Sequence, residues 1–263
     1  EITKRDTPAV ILHSGGTTGT PKGIVLSNGN FNAAVGQVQT VLKDITPDDS
    51  VLAIMPIFHG FGLSVSINDV LSFGAKVVLV PTFKASEFDK LLTKYKPSVL
   101  VGVPTLFEAL TTNERMKDVN LSHLKYVVSG GDTLNKSRIK KVNEFLHEHG
   151  ANVNVLQGYG MTEAVAAVCL DQKYASRPGT IGIPFPGNYI KIVKPGTDEE
   201  VGIDEDGELC ICGPTVMLGY YNNEKETNEA LHIHKDGNIW LHSGDIASMD
   251  KDGYITYKQR LKR

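Results

Sequence analysis

Residues 14 to 23 read Ser14-Gly15-Gly16-Thr17-Thr18-Gly19-Thr20-Pro21-Lys22-Gly23, directly after an apolar run that predicts a strand over Ala9 to Leu12. Four glycines let a backbone pass close to a ligand, and four hydroxyls can donate to phosphate oxygens. Lys22 adds a point charge. The string is not the usual P-loop, which ends Gly-Lys-Ser/Thr and runs straight into a helix. Here Pro21 removes a backbone donor and Gly23 disfavours immediate helix formation. The expectation is a hydroxyl-rich loop that grips phosphate without a helix N-terminus behind it. A mobile surface linker is the bland reading, and the ordered Pro-Lys-Gly ending argues against it.

Four further strings follow in order. They are Gln157-Gly158-Tyr159-Gly160-Met161-Thr162-Glu163; Gly207-Glu208-Leu209 with Gly213-Pro214-Thr215-Val216-Met217-Leu218-Gly219-Tyr220; Trp240-Leu241-His242-Ser243-Gly244-Asp245; and Asp252-Gly253-Tyr254 through Arg260-Leu261-Lys262. Together with the first, and over the whole chain, they closely resemble the signature motifs of the adenylate-forming superfamily: acyl- and aryl-CoA synthetases, firefly luciferase and the adenylation domains of peptide synthetases.

That resemblance implies attack of a carboxylate on the α-phosphorus of ATP with release of pyrophosphate, then thioester formation with CoA. Transfer of the acyl group to a carrier-protein thiol is the nearer alternative, and a nucleotide-binding module without catalysis the more distant one. ATP, Mg²⁺ and CoA are the implied cofactors and co-substrates, and a carboxylic acid the implied partner. By resemblance, Ser14, Gly15, Gly16, Thr17, Thr18, Gly19 and Thr20 form the phosphate strap, with Thr17, Thr18 and Lys22 over the β and γ positions. Glu163 holds magnesium, an ion that prefers one or two carboxylates with phosphate oxygens and water. Thr162 donates to the α-phosphate. Gln157, Gly158, Tyr159, Gly160 and Met161 surround the nucleotide, with Tyr159 flat against adenine. Asp245 accepts the ribose hydroxyls, Arg260 contacts ribose or phosphate, and Lys262 matches the hinge to a C-terminal lid domain.

Pro56 to Gly62 resembles the family segment whose histidine, here His59, borders the acyl and thiol tunnels; a satisfied core histidine is the bland alternative. Val103-Pro104-Thr105, Gly130-Gly131-Asp132 and Val165-Ala166-Ala167 would complete the walls. Small and apolar residues predominate there, which favours an aliphatic or aromatic acid. Two positions depart from the pattern. Asp132 stands where many relatives have a small residue, and its carboxylate, beside Gly131 in the nucleotide set, could read a polar group on the substrate or the adenine amine; Gln259 replaces the usual Gly or Asp before the arginine. The family's catalytic lysine lies in the C-terminal domain, beyond the last residue here. Both ends of the chain read as cut, so the expectation is a fragment of the large N-terminal domain that binds ATP weakly and turns over negligibly by itself.

Positioning these residues calls for a fold that alternates strand and helix. Apolar runs at Ile24 to Leu26, Val77 to Val80, Ser98 to Val103, Tyr126 to Val128 and Val153 to Leu156 read as strands. Helical patterns fall at about 31–42, after a Ser86 cap through Tyr95, and across Ile139, Val142, Phe145 and Leu146 up to Gly150. The expectation is an α/β fold with a mostly parallel sheet and flanking helices over 1–175. After that, dense turn signals predict a smaller β-rich, barrel-like subdomain over 176–263.

The chain has 263 residues, 41% hydrophobic and 22% charged, with a formal net charge of −3, so disorder and general nucleic-acid binding are both disfavoured. Three cysteines supply no disulfide framework, and a reducing cytoplasmic compartment is expected. No apolar run approaches the roughly 20 residues needed to span a bilayer. Cys210-Ile211-Cys212 places two thiols on one strand face; lacking a second pair, they read as buried small hydrophobes and not as zinc ligands. His147-Glu148-His149 and His232-Ile233-His234 read as solvated, and the oligomeric state is left open.

Overall fold

The computed structural model describes residues 4–14 and 21–261, with Ser14 represented by its backbone. Strap residues Gly15, Gly16, Thr17, Thr18, Gly19 and Thr20, together with Lys262, lie outside the described residues. Strands β1 (Pro8–Ser14) and β2 (Lys22–Ser27) pair antiparallel, with Ser14 opposite Lys22. This pair stands apart from the mostly parallel large sheet. A parallel connection needs a crossover of a dozen or more residues, and only seven separate Ser14 from Lys22. Helix α1 (Asn28–Val41) follows at once, held by a reciprocal cap in which Ser27 Oγ accepts from Asn30 N and Asn30 Oδ1 accepts from Ser27 N.

The large sheet contains β3 (Ser50–Ala53), β4 (Lys76–Leu79), β5 (Val99–Gly102), β6 (Tyr126–Ser129), β7 (Val155–Tyr159), β8 (Cys169–Leu170) and β9 (Ile183–Pro184). Its order is β4-β3-β5-β6-β7-β8-β9; pairing is parallel from β4 to β7 and antiparallel at the last two steps. Both faces are covered, which is why β5 is buried along its whole length and reads as an unbroken apolar run. The elements between these strands include α2 (Asp69–Ser72), α3 (Phe88–Tyr95), α4 (Pro104–Thr112) and α5 (Lys136–Glu148). On one face Phe88, Phe107, Leu110 and Leu146 pack on Leu100 and Val127. On the other, Val38 of α1 and Val70 of α2 pack against Val51, Val99 and Val101. Burying each such side chain contributes roughly 1.5–3 kcal/mol. Pro104 at the first turn of α4 and Asn135 before α5, accepting from Arg138 N at 2.9 Å, set the two helix starts. Ser86 does not cap α3: it sits in a 3₁₀ turn over Ala85–Glu87, and the residue before the helix, Glu87, makes no side-chain cap.

The last third adds β10 (Tyr189–Val193), β11 (Gly207–Cys212), β12 (Gly219–Tyr220), α6 (Glu224–Ala230), β13 (Leu231–Ile233), β14 (Ile239–Met249) and β15 (Ile255–Arg260). Four of these strands form an antiparallel sheet in the order β10-β11-β14-β13, and β15 extends it by pairing with the second half of β14. β12 pairs instead with β2. One core therefore joins Leu12, Ile24 and Leu26 to Leu209, Ile211 and Leu241, across residue 175. Among the described residues no helix is long and apolar enough to cross a membrane.

A π-helical segment, Phe61–Asn68, runs into α2 and buries Asp69 at 2% exposure. Ser64 Oγ donates to Asp69 Oδ1 at 3.3 Å, while Oδ2 has no partner. Burial pushes the carboxyl up from 3.8 to about 7. A raised acid pKa means the fold prefers the proton. The stability tied to it is complete below the unfolded value and is lost as pH rises from about 4 to about 7. Wild type is expected to lose on the order of 4 kcal/mol over that window. Asp69→Asn should remove this pH dependence, so its stability advantage in urea unfolding should grow from about pH 4 to about pH 8. Parallel pH profiles of variant and wild type would refute it.

Candidate active site

Strand order puts the chain's reversal between β3 and β5, because β3 connects outward to β4 and β5 connects the other way to β6. Ligands of open α/β sheets bind beyond the carboxyl ends of the strands at such a point. The segments leaving β3, β5, β6 and β7 converge there around a cavity of about 350 Å³. His59 follows β3, Val103 follows β5, Gly130 and Gly131 follow β6, and the run through Tyr159, Gly160, Met161 and Thr162 comes off the end of β7. Val38, Leu42 and Phe185 make the far wall apolar. His59 is half-buried with its ring tilted on Phe58 at 4.6 Å.

Two polar arms leave the same β7 segment. In the first, Tyr159 Oη donates to Asp245 Oδ2 at 2.7 Å. Asp245 lies on β14, is 3% exposed, and receives Arg260 Nη1 at 3.2 Å from the adjacent β15. Burial pushes the Asp245 carboxyl up, and Tyr159 and Arg260 oppose that rise. Burial and the Asp245 charge together hold the Tyr159 phenol well above its ordinary range, so it acts as a donor. Tyr257 of β15 lies beside Tyr159, with ring centroids 6.4 Å apart.

The second arm begins at Glu163, 8% exposed on the 3₁₀ turn Thr162–Ala164. Its Oε1 accepts from Tyr220 Oη at 3.0 Å. Lys22 Nζ sits 5.3 Å from the centre of the Tyr220 ring and forms an ion pair with Glu226 of α6. The end of the Gly/Thr string is thus linked through one tyrosine to Glu163. Val165 and Ala166, just beyond, adopt φ of 63° and 117°, a left-handed backbone that non-glycine residues seldom hold and that clusters at functional sites.

Three expected residues stand elsewhere. Gln157 is buried, its Oε1 accepting from Leu134 N and its Nε2 donating to Thr180 O, both at 3.0 Å. It braces β7 without entering the cavity wall. Asp132 is exposed and its Oδ1 accepts from Thr133 N at 2.7 Å. Ser14 contributes its backbone position opposite Lys22. Sequence reasoning assigned nothing to Tyr220, Glu226 or Tyr257. Tyr220 and Tyr257 lay inside motifs without a role of their own, whereas Glu226 carried no local signal.

Among the histidines expected to be solvated, His149 is half-buried and its Nδ1 lies 2.7 Å from Phe145 O. His234 is corrected outright: it is 4% exposed, stacked on Trp240, with Nε2 2.9 Å from Nε2 of His242. Trp240 and His242 arrive from β14, which the polar flank Lys235-Asp236-Gly237 does not announce.

Residues 1–221 match the AMP-binding enzyme family. The chain is 37% identical over 261 residues to probable 4-coumarate–CoA ligase 1 of Dictyostelium discoideum, covering 98% of this chain and 46% of that protein. It is 36% identical over 258 residues to luciferin 4-monooxygenase of Photinus pyralis, covering 97% and 45%. The ATP-bound structure of MatB from Rhodopseudomonas palustris is similar at a TM-score of 0.87 and 27% identity, over 98% of this chain and 49% of that one. The chain therefore spans about half the length of the relatives it matches. Motif order, the cavity at the strand ends and these likenesses agree, and the chain belongs to the AMP-binding family of adenylate-forming enzymes.

Proposed function

We propose that the chain carries the nucleotide- and acid-binding part of an AMP-forming acid–CoA ligase. The carboxylate of the substrate attacks the α-phosphorus of ATP and pyrophosphate leaves. The thiol of CoA then attacks the acyl carbon and AMP leaves. One observation carries this reading: the turn after β7 offers Tyr159 to Asp245 on one side and Glu163 to Tyr220 and Lys22 on the other, with Thr162 in the cavity wall between them.

In this reading Asp245 accepts from the ribose hydroxyls, with Arg260 fixing its orientation. Tyr159 and Tyr257 offer aromatic faces to the base. Thr162 donates to the α-phosphate, and Lys22 exchanges its Glu226 partner for a β- or γ-phosphate oxygen. Glu163 suits a hard cation, being a carboxylate joined through Tyr220 to Lys22. Magnesium held there would neutralise charge building on the phosphate oxygens. Most of the work left to the chain is alignment of two anions.

The apolar cavity wall supports an aliphatic or aromatic acid, and the Dictyostelium relative's name as a 4-coumarate–CoA ligase fits the aromatic choice. A lid domain following Lys262 in the same protein would supply the lysine that this family uses in the adenylation step. Carboxylate-dependent exchange of labelled pyrophosphate into ATP by the full-length protein tests the reading. At least one apolar acid should support exchange, and CoA should outperform a phosphopantetheinylated carrier protein as acceptor. Failure of every acid would refute adenylation, and preference for the carrier would refute the CoA assignment.

A further inference from the structure

Outside the nucleotide cleft, the antiparallel sheet gathers a second set of chemically able side chains. Cys210 of β11 lies directly opposite His242 of β14 in the ladder, so both project from one face. His234, just past β13, stacks on Trp240 and reaches the same spot. One ligand atom from each of Cys210, His234 and His242 can be chosen so that all lie within 4.8 Å of one another. The three residues are 0%, 4% and 5% exposed.

Two details set this apart from ordinary packing. Glu208 Oε2 lies 3.1 Å from His242 Nδ1, so a proton on that nitrogen points at the carboxylate and Nε2 turns to the cluster, 2.9 Å from His234 Nε2. A carboxylate behind a histidine is the outer support found behind metal-ligating imidazoles. His234 Nδ1, in contrast, is buried with no hydrogen-bond partner, so the group is incomplete as a hydrogen-bond network.

We propose that Cys210, His234 and His242 form a binding site for a borderline-soft divalent cation of the zinc class. One thiolate and two imidazoles suit such an ion, and magnesium, which takes oxygen ligands, would be rejected. The Cys210 thiolate and the Glu208 carboxylate balance its charge inside the sheet. The two Nε2 atoms, now 2.9 Å apart, would sit about 3.4 Å apart as two corners of a zinc tetrahedron with bonds of about 2.0–2.1 Å, and Cys210 Sγ would close in from within 4.8 Å. The fourth position is left for water, toward the edge where His232 lies beside His242. Binding converts the thiol to thiolate and releases its proton to solvent. Glu208 Oε1 also accepts from Gly244 N at 3.0 Å, so the site braces the strand that carries Asp245.

The test uses the full-length protein, stripped with chelator, kept reduced and titrated with Co²⁺ alone. One Co²⁺ per chain should bind, with tetrahedral d–d bands and a thiolate-to-cobalt charge-transfer band, and Zn²⁺ should abolish both by displacement while Mg²⁺ leaves them unchanged. Cys210→Ser should lose the charge-transfer band, Cys212→Ser should retain it, and His234→Gln should weaken Co²⁺ binding by about tenfold or more. Absence of stoichiometric Co²⁺ binding overturns the proposal, as does a charge-transfer band that survives Cys210→Ser. Should Cys210→Ser fail to fold, unchanged Co²⁺ affinity in His234→Gln overturns it equally.

Discussion

Replacing Glu163 by glutamine should leave the fold intact and lower carboxylate-dependent pyrophosphate exchange by about 10²–10³-fold, equivalent to roughly 2.7–4 kcal/mol of lost transition-state stabilisation. The substitution is nearly isosteric, and the amide oxygen can still accept from Tyr220 Oη, so the buried position keeps its hydrogen bond. What disappears is the negative charge. A hard cation bound by one or two carboxylates is held far less well by a neutral carbonyl. Tyr220→Phe provides the contrast, because it removes the hydrogen bond to Glu163 and keeps the carboxylate charge, a net effect of about 1 kcal/mol, and should cost less than tenfold. Exchange rates and melting temperatures read the two effects separately. Wild-type exchange by Glu163→Gln would remove Glu163 from the chemistry, and a large drop in melting temperature would show that the carboxylate is structural.

The extent to which this site could be read in advance follows from how its parts are joined. The run from Gln157 to Glu163 was legible because consecutive residues carry it: one strand end and one turn hold Tyr159, Thr162 and Glu163 in fixed relation. β5 was legible because burial on both faces leaves an apolar run with no alternation. Strand partners were not. Periodicity says which way a side chain points and says nothing about which strand lies alongside. So the antiparallel turn-back of β2 on β1, its pairing with β12 and the short strand β3 were found only in the folded chain. The same holds for Lys22 with Glu226, 204 positions apart, and Tyr220 with Glu163, 57 apart. His234 was misread for this reason: its sequence neighbours are polar, and its burial comes from β14.

Gly160→Ala should do more damage than any other single methyl added along the β7 turn. A Cβ at residue 160 would lie 1.2 Å from the carbonyl oxygen of Ala166, 2.3 Å from its carbonyl carbon and 3.0 Å from Ala167 Cα. All three are backbone atoms, so no rotamer change relieves the clash. The opposing strand of the turn cannot simply slide away. Ala166 N donates to Met161 O at 3.1 Å, and Val165 and Ala166 already hold left-handed backbone angles. The turn has to open, carrying Thr162 and Glu163 with it. Overpacking of this severity should destabilise the protein by about 3 kcal/mol or more, roughly 6–12 °C in melting temperature. Displacing the aligned groups by about 1 Å should lower exchange at least 10²-fold even where the protein stays folded. Gly158→Ala, two residues earlier and inside β7, meets nothing closer than 3.6 Å and should cost less than about 1 kcal/mol. Equal tolerance of the two substitutions would mean that the close approach of Gly160 to Ala166 does not hold the turn, and that Glu163 is positioned by something else.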